Sequence, residues 1–95
     1  MTIPKSFECM GFEIPVEFEA LGDEDSNVYG KWQGHKQRIC LDPSYSKQVQ
    51  AQTFWHEYVH CALDNLGYKK LNDNEQFVDQ FAHCLYQLEK TRKNK

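Results

Sequence analysis

Residues 56–60 of this 95-residue chain are His56-Glu57-Tyr58-Val59-His60, which is the pattern H-E-x-x-H. Residues four apart on an α-helix share one face and lie about 6 Å apart along the axis, so both imidazoles can turn toward one cation. Glu57 comes off the same turn, beside the open position of that cation. The spacing therefore predicts a helix that holds zinc between two histidines and keeps a carboxylate as general base. The alternative is a helical face with two solvated histidines.

The helix around this motif has recognisable ends. Asp42-Pro43 predicts its start, with the aspartate as N-cap and the proline in the first turn, although Ser44 or Ser46 can cap it instead. The apolar pattern continues to about Asn65, and Gly67 is placed to end the helix in a left-handed conformation. Apolar residues surround the motif on nearly all sides, so we expect the helix to be buried and its histidines to have partners.

Three strands are predicted before this helix. Apolar residues alternate with polar ones from Phe12 to Ala20, which indicates a half-buried strand with an acidic outer face. Pro15 within it suits an edge strand or a position without a ladder hydrogen bond. An acidic turn follows at 22–27, and residues 27–32 and 37–41 then form two strands joined as a hairpin through Gly34-His35.

A second helix is predicted after the motif, beginning near Asn72 or Asp73 and continuing to about Lys90. The connection from Gly67 to Leu71 is short, so the two helices should pack as neighbours. These elements predict one α+β domain over residues 1–95, in which a small antiparallel sheet of about three strands packs on two helices.

A catalytic zinc usually has three protein ligands, so a third must lie outside the motif. The metzincin pattern requires a glycine and a histidine where this chain has Leu63 and Leu66, which excludes that type. Another pattern places a glutamate on the next helix and an aspartate four residues later, and Glu75 and Asp79 match it. Both can face the histidine helix, with Glu75 on the metal and Asp79 bonded to the second ring nitrogen of a ligating histidine, His56 as first choice.

Alternatives exist for each of these acids. Asn72 and Glu75 have the spacing of a capping box, in which the glutamate only satisfies the start of the helix. Asp79 can be an ordinary exposed residue. Cys40 is another possible zinc ligand.

H-E-Y-V-H followed by E-Q-F-V-D resembles the gluzincin metallopeptidases, of which thermolysin is the familiar large member. The small size and the preceding hairpin are more similar to minimal ImmA/IrrE-type and phage-encoded gluzincin-like domains, over roughly residues 39–88. The resemblance implies a zincin-like fold with a peptide or protein substrate along the edge strand. It also implies zinc-dependent peptide hydrolysis, with Glu57 as general base and zinc on His56, His60 and Glu75.

The oxyanion helper is not fixed by the sequence. His83 continues the face of Glu75 and Asp79 and is the first candidate, with Tyr68 and His35 behind it. A rival function is a non-catalytic zinc-stabilised protein-interaction domain of phage type. A third is a DNA-associated protease guided by the basic residues at 90–95.

The bulk composition limits the other function classes. The net charge of −3 gives no general nucleic-acid signal, and the basic tail at 90–95 suits a solvated helix end. No apolar run approaches the ~20 residues of a membrane span, and no export signal precedes the first strand. We therefore expect a cytoplasmic protein whose four cysteines are free thiols; the composition does not indicate an oligomeric state.

Overall fold

The computed structural model describes residues 2–22 and 28–93 and has an α+β fold. Its four strands are β1 (Ser6–Cys9), β2 (Phe12–Phe18), β3 (Gly30–Gln33) and β4 (Arg38–Leu41), with a single 3₁₀ turn at Gly34–Lys36 between the last two. Its three helices are α1 (Lys47–Leu66), α2 (Lys69–Asn72) and α3 (Glu75–Thr91). The predicted fold class is confirmed, whereas the prediction of about three antiparallel strands on two helices is wrong.

The additional strand, β1, forms a tight hairpin with β2. Met10 and Gly11 connect the two strands with φ values of 49° and 85°, and Cys9 pairs with Phe12 directly across the turn. Two successive residues with positive φ give the backbone twist that a two-residue hairpin needs. Glycine adopts this conformation readily but methionine rarely does, so only one of the two turn residues is of a type that indicates a two-residue hairpin.

The sheet has the order β1-β2-β4-β3 and is mixed, because β2 and β4 run parallel while the other neighbours are antiparallel. Strand β2 is therefore interior and not an edge. The backbone N–H of Val16 points toward β1 and donates to Lys5 at 2.9 Å, so the nitrogen of Pro15 points toward β4. Pairing with β4 begins only at Val16, so the proline costs the ladder no hydrogen bond.

Helix α1 is the middle layer of three. Its sheet-facing side contributes Phe54 and Cys61 to a core with Ile14, Val16, Ile39 and Leu41. Its opposite side contributes Val59 and Leu63, which pack against Val78 and Ala82 of α3. A helix between two layers must be apolar on two faces, which explains why apolar residues surround the motif.

The first turn of α1 is capped by Ser46, whose side chain accepts a hydrogen bond from the backbone N–H of Val49 at 3.2 Å. The prediction of Asp42 as the cap is wrong, and the serine alternative is correct. The Asp42 carboxylate accepts from the Leu21 N–H and from both the N–H and the hydroxyl of Ser44, so it holds the loop before the helix. These bonds lower the pKa of Asp42.

The far end of α1 follows the prediction, because Gly67 has a φ of 85° and caps the helix after Leu66. Residues 67–71 are not a simple loop, since α2 forms there. The side chain of Asn74 caps α3 by accepting from the backbone N–H of Phe77 at 3.1 Å. The predicted start of this helix at Asn72 or Asp73 was therefore two or three residues early.

Some predicted features fall on residues that the structure does not describe. Residues 23–27 of the acidic turn, including Asn27 of the strand predicted at 27–32, lie outside the described residues, as do 94–95 of the basic tail. The described part of that predicted strand begins only at Gly30. Among the described helices, none has the length and apolar character to cross a membrane.

Candidate metal centre

Strand β3 lies directly against the motif helix. A Cβ atom on Gly30 would come within 2.6 Å of the Thr53 methyl group, so only glycine permits this approach. At the other end of the strand, the indole N–H of Trp32 donates to the Asp64 carboxylate at 2.9 Å. The edge strand is thereby fixed beside the turn of α1 that carries the histidines.

The two histidines of the motif turn toward one carboxylate of α3. His56 Nε2 lies 3.4 Å from one oxygen of Glu75, and His60 Nε2 lies 3.2 Å from the other. The ligand atoms of these three residues all lie within 4.8 Å of one another. Two imidazole nitrogens and one carboxylate at such distances form a group that can hold a metal ion. The capping-box alternative for Glu75 fails because Asn74, and not Asn72, caps the helix.

Each imidazole also has a partner at its other ring nitrogen. Asp79 Oδ1 lies 3.5 Å from His56 Nδ1, so it lies beside the histidine that the sequence predicted as its partner. Asn72 Oδ1 lies 2.5 Å from His60 Nδ1, and this contact was not predicted. A carbonyl oxygen only accepts, so Asn72 fixes the proton of His60 on Nδ1 and leaves the Nε2 lone pair facing Glu75.

Replacement of Asn72 by alanine is expected to weaken metal affinity by roughly 10- to 100-fold, the usual effect of removing an outer hydrogen-bond partner of a ligating histidine. The reason is that the His60 imidazole would lose the contact that fixes its tautomer and ring orientation. Competition titration with a chromophoric chelator measures the effect. Asp73→Ala is the control, because it removes the neighbouring side chain, whose contact is with Lys69 and not with a histidine; equal losses in both variants would show that Asn72 acts only through the stability of this segment.

Glu57 is on the side of α1 that faces β3, and 8% of its surface is exposed. Burial raises the pKa of its carboxyl group. The neighbouring His56 and His60 and a hydrogen bond from the Trp32 backbone lower the pKa and offset part of the effect of burial. A buried carboxylate with a raised pKa beside a group that can hold metal has the environment of a general base.

The other candidate site residues, which are the three possible oxyanion helpers and Cys40 as a possible zinc ligand, differ in how close they lie to the motif. His83 lines a small cavity of about 50 Å³ that also borders His56 and Asp79. Tyr68 is 57% exposed beyond the end of α1, and His35 is an exposed residue of the 3₁₀ turn. Neither lines the two cavities that border His56. Cys40 is fully buried in β4, with its thiol 3.8 Å from Gln33, and does not belong to the group of three.

A larger cavity of about 590 Å³ opens beside the histidines and includes His56, Glu57 and Asp79 in its walls. Its walls also include Tyr29 and Tyr45, whose rings make an edge contact with centroids 4.5 Å apart. The remaining lining residues come from the start of β3 and the residues before it, and from the first turns of α1: Val28, Gly30, Val49, Gln52 and Thr53. The two tyrosines were not predicted as part of the site, because no local sequence signal brings residue 29 next to residue 45.

Comparisons of the chain with protein-family models, with curated proteins and with solved structures give no match.

Proposed function

We propose that this protein is a zinc-dependent metallopeptidase. The observation that carries the proposal is the convergence of His56 Nε2 and His60 Nε2 on the Glu75 carboxylate, next to the buried Glu57. Two histidines and one glutamate are a ligand set of catalytic zinc sites, which keep one position for water or substrate. A purely structural site has no need of a buried carboxylate beside its ligands.

The donor set also supports the choice of metal. Imidazole nitrogens suit zinc and other late transition metals, whereas calcium and magnesium prefer oxygen ligands. The partners of the outer ring nitrogens, Asp79 and Asn72, hold both imidazoles with Nε2 directed inward. His56, His60 and Glu75 would hold the ion, and the chain needs no rearrangement of α1 against α3 to offer them together.

When bound, zinc supplies a water of lowered pKa and polarises the substrate carbonyl. Glu57 accepts the proton of the attacking water and then delivers it to the leaving amine. The buried position of Glu57 favours its role as general base, because a pKa raised by desolvation makes the carboxylate a stronger base. The Trp32 N–H holds one side of the carboxylate and so orients it.

The cavity beside the motif is the proposed place for the peptide. Its lining includes the motif residues His56 and Glu57, Gly30 at the start of the edge strand, and the tyrosine pair, so a peptide lying beside β3 would bring an apolar side chain against Tyr29 and Tyr45. The two phenols can donate within this cavity, and His83 lines the smaller cavity that shares His56 and Asp79 with it. These groups are the candidates for assisting the developing oxyanion.

Metal analysis combined with a hydrolysis assay tests the proposal. Protein purified without added metal is expected to carry about one zinc per chain and to cleave a fluorophore-labelled unfolded protein. Activity should disappear on dialysis against a chelator and return with zinc but not with magnesium. Absence of bound zinc contradicts the metal site. Zinc retention without cleavage contradicts the peptidase and favours a zinc-stabilised interaction domain.

A further inference from the structure

Two aromatic rings in the wall of the larger cavity come from separate segments of the chain. Tyr29 precedes β3, and Tyr45 lies in the loop between β4 and α1. We call them the tyrosine pair, because their rings make an edge contact with centroids 4.5 Å apart. A single ring contact is too weak to order two segments of backbone, so other contacts must hold them in this arrangement.

Asp42, the residue after β4, holds the first of these segments. Its backbone N–H donates to the carbonyl of Tyr29 at 2.9 Å. Its carboxylate oxygen Oδ2 accepts from the backbone N–H of Leu21 at 3.2 Å. Asp42 is only 7% exposed, so these bonds are shielded from water, which strengthens them. The position of Tyr29 therefore depends on Asp42.

The same side chain shapes the segment that carries Tyr45. Oδ1 of Asp42 accepts from the backbone N–H of Ser44 at 2.9 Å and from its hydroxyl at 2.7 Å, which folds the chain into a turn just before Tyr45. The amide of Gln50 on α1 then donates to the carbonyls of Tyr45 at 2.8 Å and Pro43 at 3.3 Å. The loop is thereby fixed at both of its sides, to Asp42 and to the helix.

Asp42 has these effects without facing a substrate. It is not among the described residues that line the cavity, and its printed partners are backbone groups and one hydroxyl. None of these partners is a residue of the group that can hold a metal ion. An effect of Asp42 on a bound substrate therefore has to act through the tyrosine pair.

We infer that Asp42 is a positioning residue, whose contacts place the tyrosine pair in the cavity wall and thereby set how tightly the site holds a substrate side chain. The inference rests on the proposed peptidase function. A ring that is already in place loses little conformational freedom when an apolar group packs against it. When the pair is in place only part of the time, the apparent affinity falls by that fraction. Asp42 therefore acts on KM and leaves kcat unchanged.

The contact between the two rings tests the placement without any substrate. In the full chain with isotope-labelled tyrosine, a nuclear Overhauser effect between the rings of Tyr29 and Tyr45 is expected. Asp42→Ala should remove it, because the donors of Leu21 and Ser44 lose their acceptor. Glu13→Ala, at an exposed carboxylate of β2, is the control and should retain it. A signal that persists in Asp42→Ala would overturn the inference.

Steady-state hydrolysis of the fluorophore-labelled unfolded protein tests the effect on substrate. Asp42→Ala is expected to raise KM by roughly 10-fold or more, with kcat and zinc affinity unchanged. Asp42→Asn has a single oxygen, which can accept from Ser44 or from Leu21 but not from both in the present geometry, so its KM should rise by about 3-fold. This variant carries the test if Asp42→Ala does not fold. A wild-type KM in Asp42→Asn, or a loss confined to kcat, would contradict the role of Asp42.

A double-mutant cycle distinguishes action through the tyrosine pair from a general loss of stability. In a Tyr45→Ala background, Asp42→Asn should change KM no further, because the ring that Asp42 places is already absent. The same fold-change in both backgrounds would overturn the inference. A wild-type protein that binds zinc and cleaves nothing contradicts the proposed function instead, and the ring contact then decides by itself whether Asp42 places the tyrosine pair.

Discussion

Glu57→Gln is expected to keep zinc and to lose peptide hydrolysis by a factor of roughly 10² to 10⁴, the range that a positioned general base contributes. Glutamine has nearly the same shape as glutamate, and its carbonyl oxygen can still accept the hydrogen bond from Trp32. It cannot take a proton from water at neutral pH. The metal ligands His56, His60 and Glu75 are unchanged, so the zinc content should stay near one per chain. Turnover of a labelled peptide measured together with metal content checks both parts.

Two further measurements sharpen this experiment. The variant should unfold at the same or a higher temperature than the wild type. Burial of the charged Glu57 carboxylate destabilises the folded protein, as its raised pKa indicates, and a neutral amide removes this cost. Glu13→Gln on the exposed face of β2 serves as the control and should leave turnover and metal content unchanged. Hydrolysis that persists in Glu57→Gln would show that another group is the base.

Glu75→Ala is expected to lower zinc affinity by more than about 100-fold, which exceeds the usual effect of removing an outer partner of a ligand. The substitution removes the one negative charge among the three groups and opens the side of the site formed by α3. Competition titration with a chelator gives the affinity directly. Thermal unfolding with and without zinc gives a second reading, because a metal that binds the folded state stabilises it by an amount that grows with the logarithm of the ratio of its concentration to Kd.

The unfolding temperature of Glu75→Ala without metal distinguishes an effect on metal binding from an effect on folding. The Glu75 side chain is 68% exposed, so its removal should change the unfolding temperature of the metal-free protein very little. Gln76→Ala, at the neighbouring exposed position, should bind zinc like the wild type. Full zinc retention in Glu75→Ala would contradict the proposed third ligand and would require water or another side chain in its place.

Local signals in the sequence predicted most of the elements that carry the site. The motif, the left-handed Gly67 and the paired acids Glu75 and Asp79 each act over a turn or two of helix, where residue type limits the conformation strongly. For that reason the position of α1 and the side of α3 that faces it could be inferred without a structure. The N-cap was less certain, because three candidates lay within five residues and only their geometry distinguishes them.

Features that depend on distant parts of the chain could not be inferred in this way. The parallel pairing of β2 with β4 is set by how β3 folds back onto the sheet, and strand periodicity does not report direction. The hairpin at Met10 was missed because methionine rarely takes a positive φ. Asn72 became a partner of His60 only because α2 turns the chain between the two long helices, and the spacing to Glu75 suggested a cap instead.

The central position of α1 restricts how this site can vary among related sequences. One side of the helix packs on the sheet, the opposite side packs on α3, and the face between them carries the histidines. A substitution at most positions from Ala51 to Leu63 therefore disturbs packing or the group of side chains that can hold a metal ion. Changes that are tolerated must come from the surrounding walls, namely the segment before β3 and the exposed surface of α3. We expect new specificities in this scaffold to arise by remodelling around a helix that itself stays nearly constant.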